Sequence, residues 1–221
     1  MSQINNKFDN DKLYHVINRS ISKYVIFNNS IEYENFIERI KYYQNPIPTV
    51  SFSNLNHYSD NFLYNYQQKN DPKITIIAYC IMPTHFHFIL KQESDFGITK
   101  FINNLLNGYT KYFNTIHKRK GPLWVGRSKS INIITDEQLL HLTRYIHLNP
   151  CSAGKVQYPE DWKYSSYGEF LNIKSSNDRI CDYKNYLEIN PKNYKKFCDE
   201  RIDEQIELSI LKNQLIEKYS G

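Results

Sequence analysis

The chain has 221 residues, of which 40% are hydrophobic and 15% aromatic, and its 28 Lys and Arg against 23 Asp and Glu leave a net charge of +5. This composition excludes a disordered chain, and 7 Gly and 8 Pro are too few for a collagen-like or low-complexity sequence. A chain of this length can bury a substantial core, while the small basic excess permits a phosphate-bearing partner without requiring one.

No run of about eighteen apolar residues occurs, so the sequence predicts no membrane-spanning helix. The polar N-terminus, residues 1–11, has no apolar segment of the kind found in signal peptides. The four cysteines are spread without a C-x-x-C pair, which favours reduced structural thiols: Cys80, Cys151, Cys181 and Cys198. We therefore expect a cytoplasmic protein with no membrane partner.

The first half of the chain predicts a strand, a helix and a β-hairpin, in that order. Residues 12–19 (KLYHVINR) favour a strand, and apolar residues at helical spacing predict a helix over about 30–43. The Asn-, Ser- and Tyr-rich stretch 44–71 has no clean period, and we interpret it as an insertion-like loop. Two β-rich runs, 73–81 and 85–91, flank a Met-Pro-Thr turn and predict a hairpin.

The next stretch predicts a helix, a loop and a strand. The helix begins at Ser94 or Asp95 and runs to about Ile116, with aromatic and apolar side chains along one stripe. A basic loop follows over 117–129, and a short β-rich segment over 130–134 predicts a strand.

A capping box marks the start of another helix. Thr135 stands at the cap with Gln138 three residues later, a spacing at which the two side chains satisfy backbone N–H groups of the first turn. We expect this helix to run to Asn149 and to end before Pro150, because proline lacks the N–H that a continuing helix needs.

This order of elements predicts an α+β protein with a ferredoxin-like β-α-β-β-α-β core, in which an antiparallel sheet carries helices on one face. The helix after the last strand is an addition to that plan. We assign residues 1–172 to one domain and residues 173–221 to a C-terminal helical extension. Residues 162–172 are interpreted as a small docking helix, and 201–219 as a charged amphipathic helix.

His85 and His87 form the first candidate site. On a strand they project from the same face, about 6–7 Å apart, and two imidazoles at that spacing can share a divalent cation. The alternative is a pair of histidines on a half-exposed strand that make ordinary hydrogen bonds.

Tyr145 and Asn149 form the second candidate site, because residues four apart stack on one face of a helix. A metal held by His85, His87 and an oxygen of Asn149 could polarise a phosphate, and Tyr145 would then supply an attacking phenol. The product would be a covalent phosphotyrosine link to DNA. The alternative is a tyrosine packed at the edge of the core and an asparagine that caps the helix.

The basic loop is the third candidate site. Cations neutralise phosphates, and an aromatic ring offers a stacking face for an unpaired base. The alternative is a solvated loop with one anchoring tryptophan. The residues concerned are Lys118, Arg119, Lys120, Trp124, Arg127 and Lys129.

Six segments resemble the REP-associated tyrosine transposases, which are IS200-like relatives within the HUH superfamily of single-strand transposases. Matching segments follow the family's order from about residue 12 to 171. They are YHVINR (14–19), AYCIMPTHFHFIL (78–90), YTKYFN (109–114), GPLWVGRSK (121–129), RYIHLNPCSAG (144–154) and WKYSSY (162–167).

The resemblance implies a transposase or nuclease domain that cleaves single-stranded DNA near a hairpin with Mg²⁺ or Mn²⁺. Cleavage of this kind leaves a 5′-phosphotyrosine and a free 3′-OH. His85 and His87 resemble the family's metal-binding pair, Tyr145 its catalytic tyrosine, and Asn149 stands where relatives place a polar third ligand.

Arg19, which ends the first matching segment, joins the loop residues in the expected DNA contact. Relatives work as homodimers or as monomers with the tyrosine in cis, and both remain open. A non-catalytic, domesticated hairpin-DNA-binding protein is the alternative function, and a ferredoxin-like metallohydrolase with a small substrate is a third.

Overall fold

The structure is a computed structural model, and it describes residues 8–44, residue 52 and residues 72–219. Of the insertion-like loop expected over 44–71, only Gln44 and Phe52 belong to the described residues, so that prediction lies outside the part of the chain that the structure describes. Among the described residues, no helix is both long and apolar enough to cross a bilayer.

Within the described residues, one antiparallel sheet contains four strands in the order β2-β3-β1-β4. This order and the element sequence confirm the α+β class and the ferredoxin-like core. The predicted hairpin is β2 and β3, joined through Pro83 and Thr84. The strands are β1 (Leu13–Arg19), β2 (Ile74–Met82), β3 (His85–Gln92) and β4 (Lys129–Ile133).

The helices begin at polar caps where the sequence supplies them. Oδ1 of Asn29 accepts from the backbone N–H of Glu32 at 3.1 Å, and Oγ1 of Thr135 accepts from that of Gln138 at 3.1 Å. The second contact confirms the predicted capping box. The helices are α1 (Ser30–Gln44), α2 (Gly97–Ile116), α3 (Asp136–Ser152), α4 (Tyr167–Phe170), α5 (Pro191–Asp199) and α6 (Ile202–Tyr219).

Both faces of the sheet are covered, and strand alternation divides the side chains between two cores. Phe86 and Phe88 enter the core that α1 and α2 form on one face. Ile89 enters the other core, where Ile146 of α3 and the chain beyond residue 180 pack. Because His85 and His87 share the orientation of Ile89, they lie on the face that α3 covers.

Helix α3 extends past the predicted end at Asn149, so that prediction is wrong. Pro150 lies within the last turn, where its missing N–H removes a single hydrogen bond. The helix ends instead through Gly154, which has a φ of +62° and donates to the Cys151 carbonyl at 2.9 Å. Glycine adopts this left-handed conformation without steric cost.

The docking helix expected over 162–172 is mostly absent. Residues 162–166 run beside β2, where the Ile81 N–H donates to the Tyr164 carbonyl at 3.0 Å and the Ser166 N–H to that of Tyr79 at 2.9 Å. Pairing the outer edge of β2 satisfies backbone groups that a helix would leave exposed. The amphipathic helix expected over 201–219 is present as α6, while the domain boundary at residue 172 stays a prediction.

Candidate active site and nucleic-acid interface

His85 and His87 are held by the central strand β3. The neighbouring Phe86 and Phe88 are buried in the aromatic core on the opposite face, which fixes the strand. The two imidazole centroids are 5.2 Å apart with their planes at 79°. His87 is 2% exposed, whereas His85 is half-buried at the start of the strand. The two rings are thus neighbours on one face, as their spacing predicts.

Tyr145 lies beside this histidine pair. Its ring meets that of His87 edge-on, with the centroids 5.9 Å apart and the planes at 87°. The next residue on α3, Ile146, is buried and anchors the helix on the sheet, while Tyr145 is 40% exposed. The tyrosine and the histidines belong to the same chain, so the structure brings these predicted site residues together in cis.

Asn149 follows one turn later on α3 and is oriented by the helix itself. Its Nδ2 donates to the Tyr145 carbonyl oxygen at 2.9 Å. A carbonyl oxygen can only accept, so the amide nitrogen faces the helix and Oδ1 points away from it. Nε2 of Gln205 on α6 donates to the same carbonyl at 3.0 Å. The amide oxygen of Asn149, rather than its nitrogen, is therefore the atom left for contacts beyond α3.

A third imidazole, from His15 on β1, belongs to this cluster and was not predicted. His15 is the Cα partner of Ile89, so it stands diagonally across the sheet from His87. Its Nε2 is 2.9 Å from Nδ1 of His87. The signal in the sequence is the alternation of β1, which puts His15, Ile17 and Arg19 on one face.

Burial favours the neutral imidazoles of His15 and His85. Desolvation lowers the pKa of His15 to about 4. Desolvation, together with the positive charge of Arg19, lowers the pKa of His85 to about 4. Oγ1 of Thr84 lies 3.1 Å from Nδ1 of His85. A neutral imidazole is the form that binds a metal ion.

The donor set fits a divalent cation when the Asn149 amide takes part. Across residues 8–44, 52 and 72–219, no group of three His, Cys, Asp or Glu side chains could hold a metal ion. Neutral imidazole nitrogens are common ligands of divalent metal ions, and an amide oxygen suits both Mn²⁺ and Mg²⁺. The metal set of His85, His87 and Asn149 stays a prediction, and the orientation of the amide supports it.

The basic loop is fastened to the end of β1 beside His85. The Val125 N–H donates to the Arg19 carbonyl at 2.8 Å, and the Ile21 N–H donates to the Leu123 carbonyl at 3.0 Å. Arg19 is also the Cα partner of His85. These contacts place the loop at the border of the candidate active site.

The loop cations differ in what they contact. Arg119 is half-buried, and its guanidinium donates to Oδ1 of Asn114 at 2.9 Å and to the Pro122 carbonyl at 2.7 Å. This arginine therefore holds the loop in shape. The other cations predicted to contact DNA are exposed: Arg19, Lys118, Lys120, Arg127 and Lys129.

Trp124 does not offer the stacking face that we expected, because its side chain belongs to the core. It is 8% exposed and packs against Phe36, Phe86 and Tyr109 at centroid distances of 6.2, 5.4 and 6.3 Å. A base cannot reach a ring enclosed in this way. The alternative interpretation, a single tryptophan that anchors a charged loop, describes its position.

Comparison with known proteins places the chain in a family. The family model described as "Transposase IS200 like" matches residues 10–149, a range that contains all eleven predicted site residues. A protein of Haemophilus influenzae named "Putative REP-associated tyrosine transposase" is 28% identical over 101 residues, which cover 41% of this chain and 57% of the relative. The aligned region thus spans little more than half the length of that curated relative.

A solved structure shares the fold. It is the structure of a REP-associated tyrosine transposase bound to a REP hairpin, which superposes with a TM-score of 0.51 at 16% sequence identity. The match covers 86% of this chain and 99% of that one. With a family match that includes both the histidine pair and the helical tyrosine, the chain belongs to the IS200-like transposase family.

Proposed function

We propose that this protein cleaves and rejoins single-stranded DNA near a hairpin through a covalent 5′-phosphotyrosine at Tyr145. One observation carries the proposal: the phenol of Tyr145 stands beside His87 within one chain, with the rings 5.9 Å apart. The reaction would serve DNA transposition or the processing of repeat elements.

The chemistry begins with the phenolic oxygen of Tyr145, which attacks a backbone phosphorus. The phenol loses its proton as the new bond joins its oxygen to phosphorus, the bond to the 3′ oxygen breaks, and the upstream fragment takes up a proton and leaves with a free 3′-OH. The tyrosine ester retains the energy of the broken phosphodiester, so a 3′-OH can reverse the step without ATP.

A divalent cation would supply the electrostatic part of this chemistry, because it draws charge from the scissile phosphate and stabilises the negative charge on the attacking phenolic oxygen. His85, His87 and Asn149 would hold Mg²⁺ or Mn²⁺ at this position. The protein itself keeps the His85 imidazole neutral by burial and turns the Asn149 amide oxygen away from α3.

The exposed cations would bind the DNA backbone. Arg19 lies beside His85, and the loop that carries Arg127 and Lys129 is tied to Arg19 through the Val125 N–H. Positive charge at the border of the active site would hold a phosphate near Tyr145 without reading the sequence. The REP hairpin bound by the structural relative supports a DNA hairpin as the partner of this chain.

The position of Tyr145 and the histidines in one chain bears on whether the protein needs a second subunit to form the site. One chain supplies both the tyrosine and the histidines, so a monomer contains the full predicted set. A homodimer in which each site is intact would contain two copies of the predicted site. The oligomeric state and the cytoplasmic location stay predictions.

The test is the formation of a covalent adduct. Hairpin oligonucleotides with randomised single-stranded flanks, labelled at the 3′ end, are incubated with Mn²⁺ and separated under denaturing conditions. We expect the label to migrate with the protein, since the tyrosine retains the downstream fragment. Tyr145→Phe should abolish this band. Tyr158→Phe is the matched control, because Tyr158 is similarly exposed at 46%.

Two outcomes would contradict the proposal. An adduct of undiminished yield with Tyr145→Phe would show that another residue is the nucleophile. Tight hairpin binding without an adduct in Mg²⁺, Mn²⁺ or any other divalent ion would favour the non-catalytic, hairpin-binding alternative.

A further inference from the structure

His15 and His87 are joined by a hydrogen bond that runs in the planes of their rings. The nitrogen–nitrogen distance is 2.9 Å, the centroids are 5.2 Å apart and the planes differ by 14°. The centroid distance exceeds the nitrogen–nitrogen distance by about the width of one ring. The two nitrogens therefore lie between the centroids, and the rings stand edge to edge rather than face to face.

This geometry is that of a directed hydrogen bond. The lone pair and the N–H bond of an imidazole both lie in the ring plane, so nearly coplanar rings align donor and acceptor. One nitrogen must donate and the other must accept. The tautomer of each histidine is therefore tied to that of the other.

The register of the sheet brings these two imidazoles together. His15 on β1 and His87 on β3 form a diagonal pair across adjacent antiparallel strands, and the register of those strands is continuous from Leu13 to Arg19. Long side chains at diagonal positions on one face can reach each other. His87 is 2% exposed, so water competes little for the bond.

We propose that His15 is a positioning residue that holds the His87 imidazole with its proton on Nδ1 and its lone pair on Nε2, ready to bind a metal ion. This inference rests on the proposed function, because it assigns His87 to the metal. Metal-binding histidines depend on a partner at the second ring nitrogen, which fixes both the tautomer and the ring orientation. Here another imidazole, with its own proton on Nδ1, takes the place usually filled by a carboxylate or carbonyl.

Two substitutions separate the hydrogen bond from the volume of the side chain. His15→Phe keeps a planar ring and removes the acceptor nitrogen. His15→Gln places an amide oxygen at nearly the position of Nε2 and restores an acceptor. Circular dichroism of each variant establishes that the fold is retained before the site is compared.

The first measurement needs no metal. In the metal-free protein labelled with ¹⁵N-histidine, long-range proton–nitrogen correlation reports which ring nitrogen of His87 carries the proton. We expect Nδ1–H in the wild type and in His15→Gln, and a shift toward Nε2–H in His15→Phe. An unchanged His87 tautomer in His15→Phe would overturn the inference.

The second measurement is the affinity for Mn²⁺, read from the electron paramagnetic resonance signal of the free ion. We expect His15→Phe to bind Mn²⁺ about 10–100-fold more weakly, as is typical when the partner of a metal ligand is lost, and His15→Gln to recover most of that affinity. If His15→Gln lost affinity as completely as His85→Ala, His15 would itself be a ligand and the positioning role would be wrong.

The two measurements also separate this inference from the proposed function. A wild-type protein that binds no Mn²⁺ would contradict the metal-dependent function and remove the purpose assigned to His15. A wild type that binds Mn²⁺, combined with a His15→Phe variant of equal affinity and unchanged tautomer, would overturn the role of His15 alone.

Discussion

The ring of Tyr145 on α3 stands edge-on to the ring of His87 on β3, with the centroids 5.9 Å apart. The helix and the strand come from the same chain and share one hydrophobic core, in which Ile146 packs near Ile89. The proposed nucleophile is thus placed by the packing of α3 on the sheet, and the predicted site needs no residue from a second subunit.

Because Tyr145 and the histidines lie in one chain, two inactive mutants should not restore each other's activity when they are mixed. Tyr145→Phe lacks the proposed nucleophile, and His87→Ala lacks one of the two proposed metal-binding histidines. Neither mutant can contribute to a complete site if each site is built from one chain. We expect an equimolar mixture, incubated long enough to exchange any subunits, to form no covalent adduct with hairpin DNA in Mn²⁺.

The control for that mixture is a second pairing with His85→Ala, because His85 is less buried than His87. If either mixture formed an adduct while the separate mutants formed none, the active site would combine the tyrosine of one chain with the histidines of another.

Two residues of the basic loop should respond differently to truncation. Trp124 is 8% exposed among core aromatic rings, so Trp124→Ala should lower the free energy of unfolding by about 3–5 kcal/mol. Lys129→Ala should change it by less than about 0.5 kcal/mol and reduce the salt dependence of DNA binding by about one charge. Urea unfolding and binding titrations at several salt concentrations measure these effects.

Lys192→Ala, at an exposed lysine on α5, is the matched control for the salt dependence. A stable Trp124→Ala protein with weakened DNA binding would restore the stacking role. Equal salt slopes for wild type and Lys129→Ala would exclude Lys129 from the DNA interface.

Local sequence rules predicted the elements and the histidine pair well. Alternation alone put His85 and His87 on one face, and the Thr135 capping box began α3 where the structure has it. The end of α3 was mispredicted because the penalty for Pro150 depends on how many turns follow it. With a few residues left in the helix, only one backbone bond is lost.

The residues that sequence reasoning misjudged depend on packing between distant segments. The contact of His15 with His87 requires the register of β1 against β3, since a change of one residue would turn the His15 side chain to the other face. The burial of Trp124 requires Phe36 and Tyr109 from two different helices. A tryptophan among cations in one sequence carries no sign of which neighbours enclose it.

Asn149 should contribute to metal binding without supporting the fold. Asn149→Ala removes the oxygen, while alanine improves the helix propensity by roughly 0.5 kcal/mol, so stability should not fall. We expect Mn²⁺ affinity to drop by at least about tenfold in calorimetric titrations, because loss of a ligand should cost no less than loss of a ligand's hydrogen-bond partner. Asn149→Asp, which keeps an oxygen there, should retain affinity.

Asn185→Ala is the matched control, because Asn185 is an exposed asparagine outside α3. Unchanged Mn²⁺ affinity in Asn149→Ala would remove Asn149 from the metal set, whatever the behaviour of the two histidines.

His147 should make the fold sensitive to acid. It is fully buried, with Nδ1 2.7 Å from the Tyr194 hydroxyl and Nε2 2.7 Å from the Ser166 hydroxyl. Desolvation, aided by the positive charge of Lys174, lowers its pKa from 6.5 to about 3. The folded protein therefore holds this imidazole neutral under conditions in which the unfolded chain protonates it.

The difference in proton binding between the folded and unfolded chain determines how stability changes with pH. Between pH 6.5 and about 3 the unfolded chain binds a proton at His147 that the folded chain does not, so stability is fully present above that window and falls as the pH decreases. The loss is up to ~1.4 kcal/mol for each pH unit. His15 and His85, whose pKa values are also lowered, act in the same direction.

Urea unfolding in EDTA at pH 7, 5.5 and 4.5 tests this for wild type and His147→Gln. The variant should be less stable at pH 7, because it fills the buried site less well, but should lose less stability than the wild type on acidification. His141→Gln is the control, since the His141 side chain is 49% exposed. If wild type and His147→Gln lost stability in parallel, the buried His147 would not be the source of the acid sensitivity.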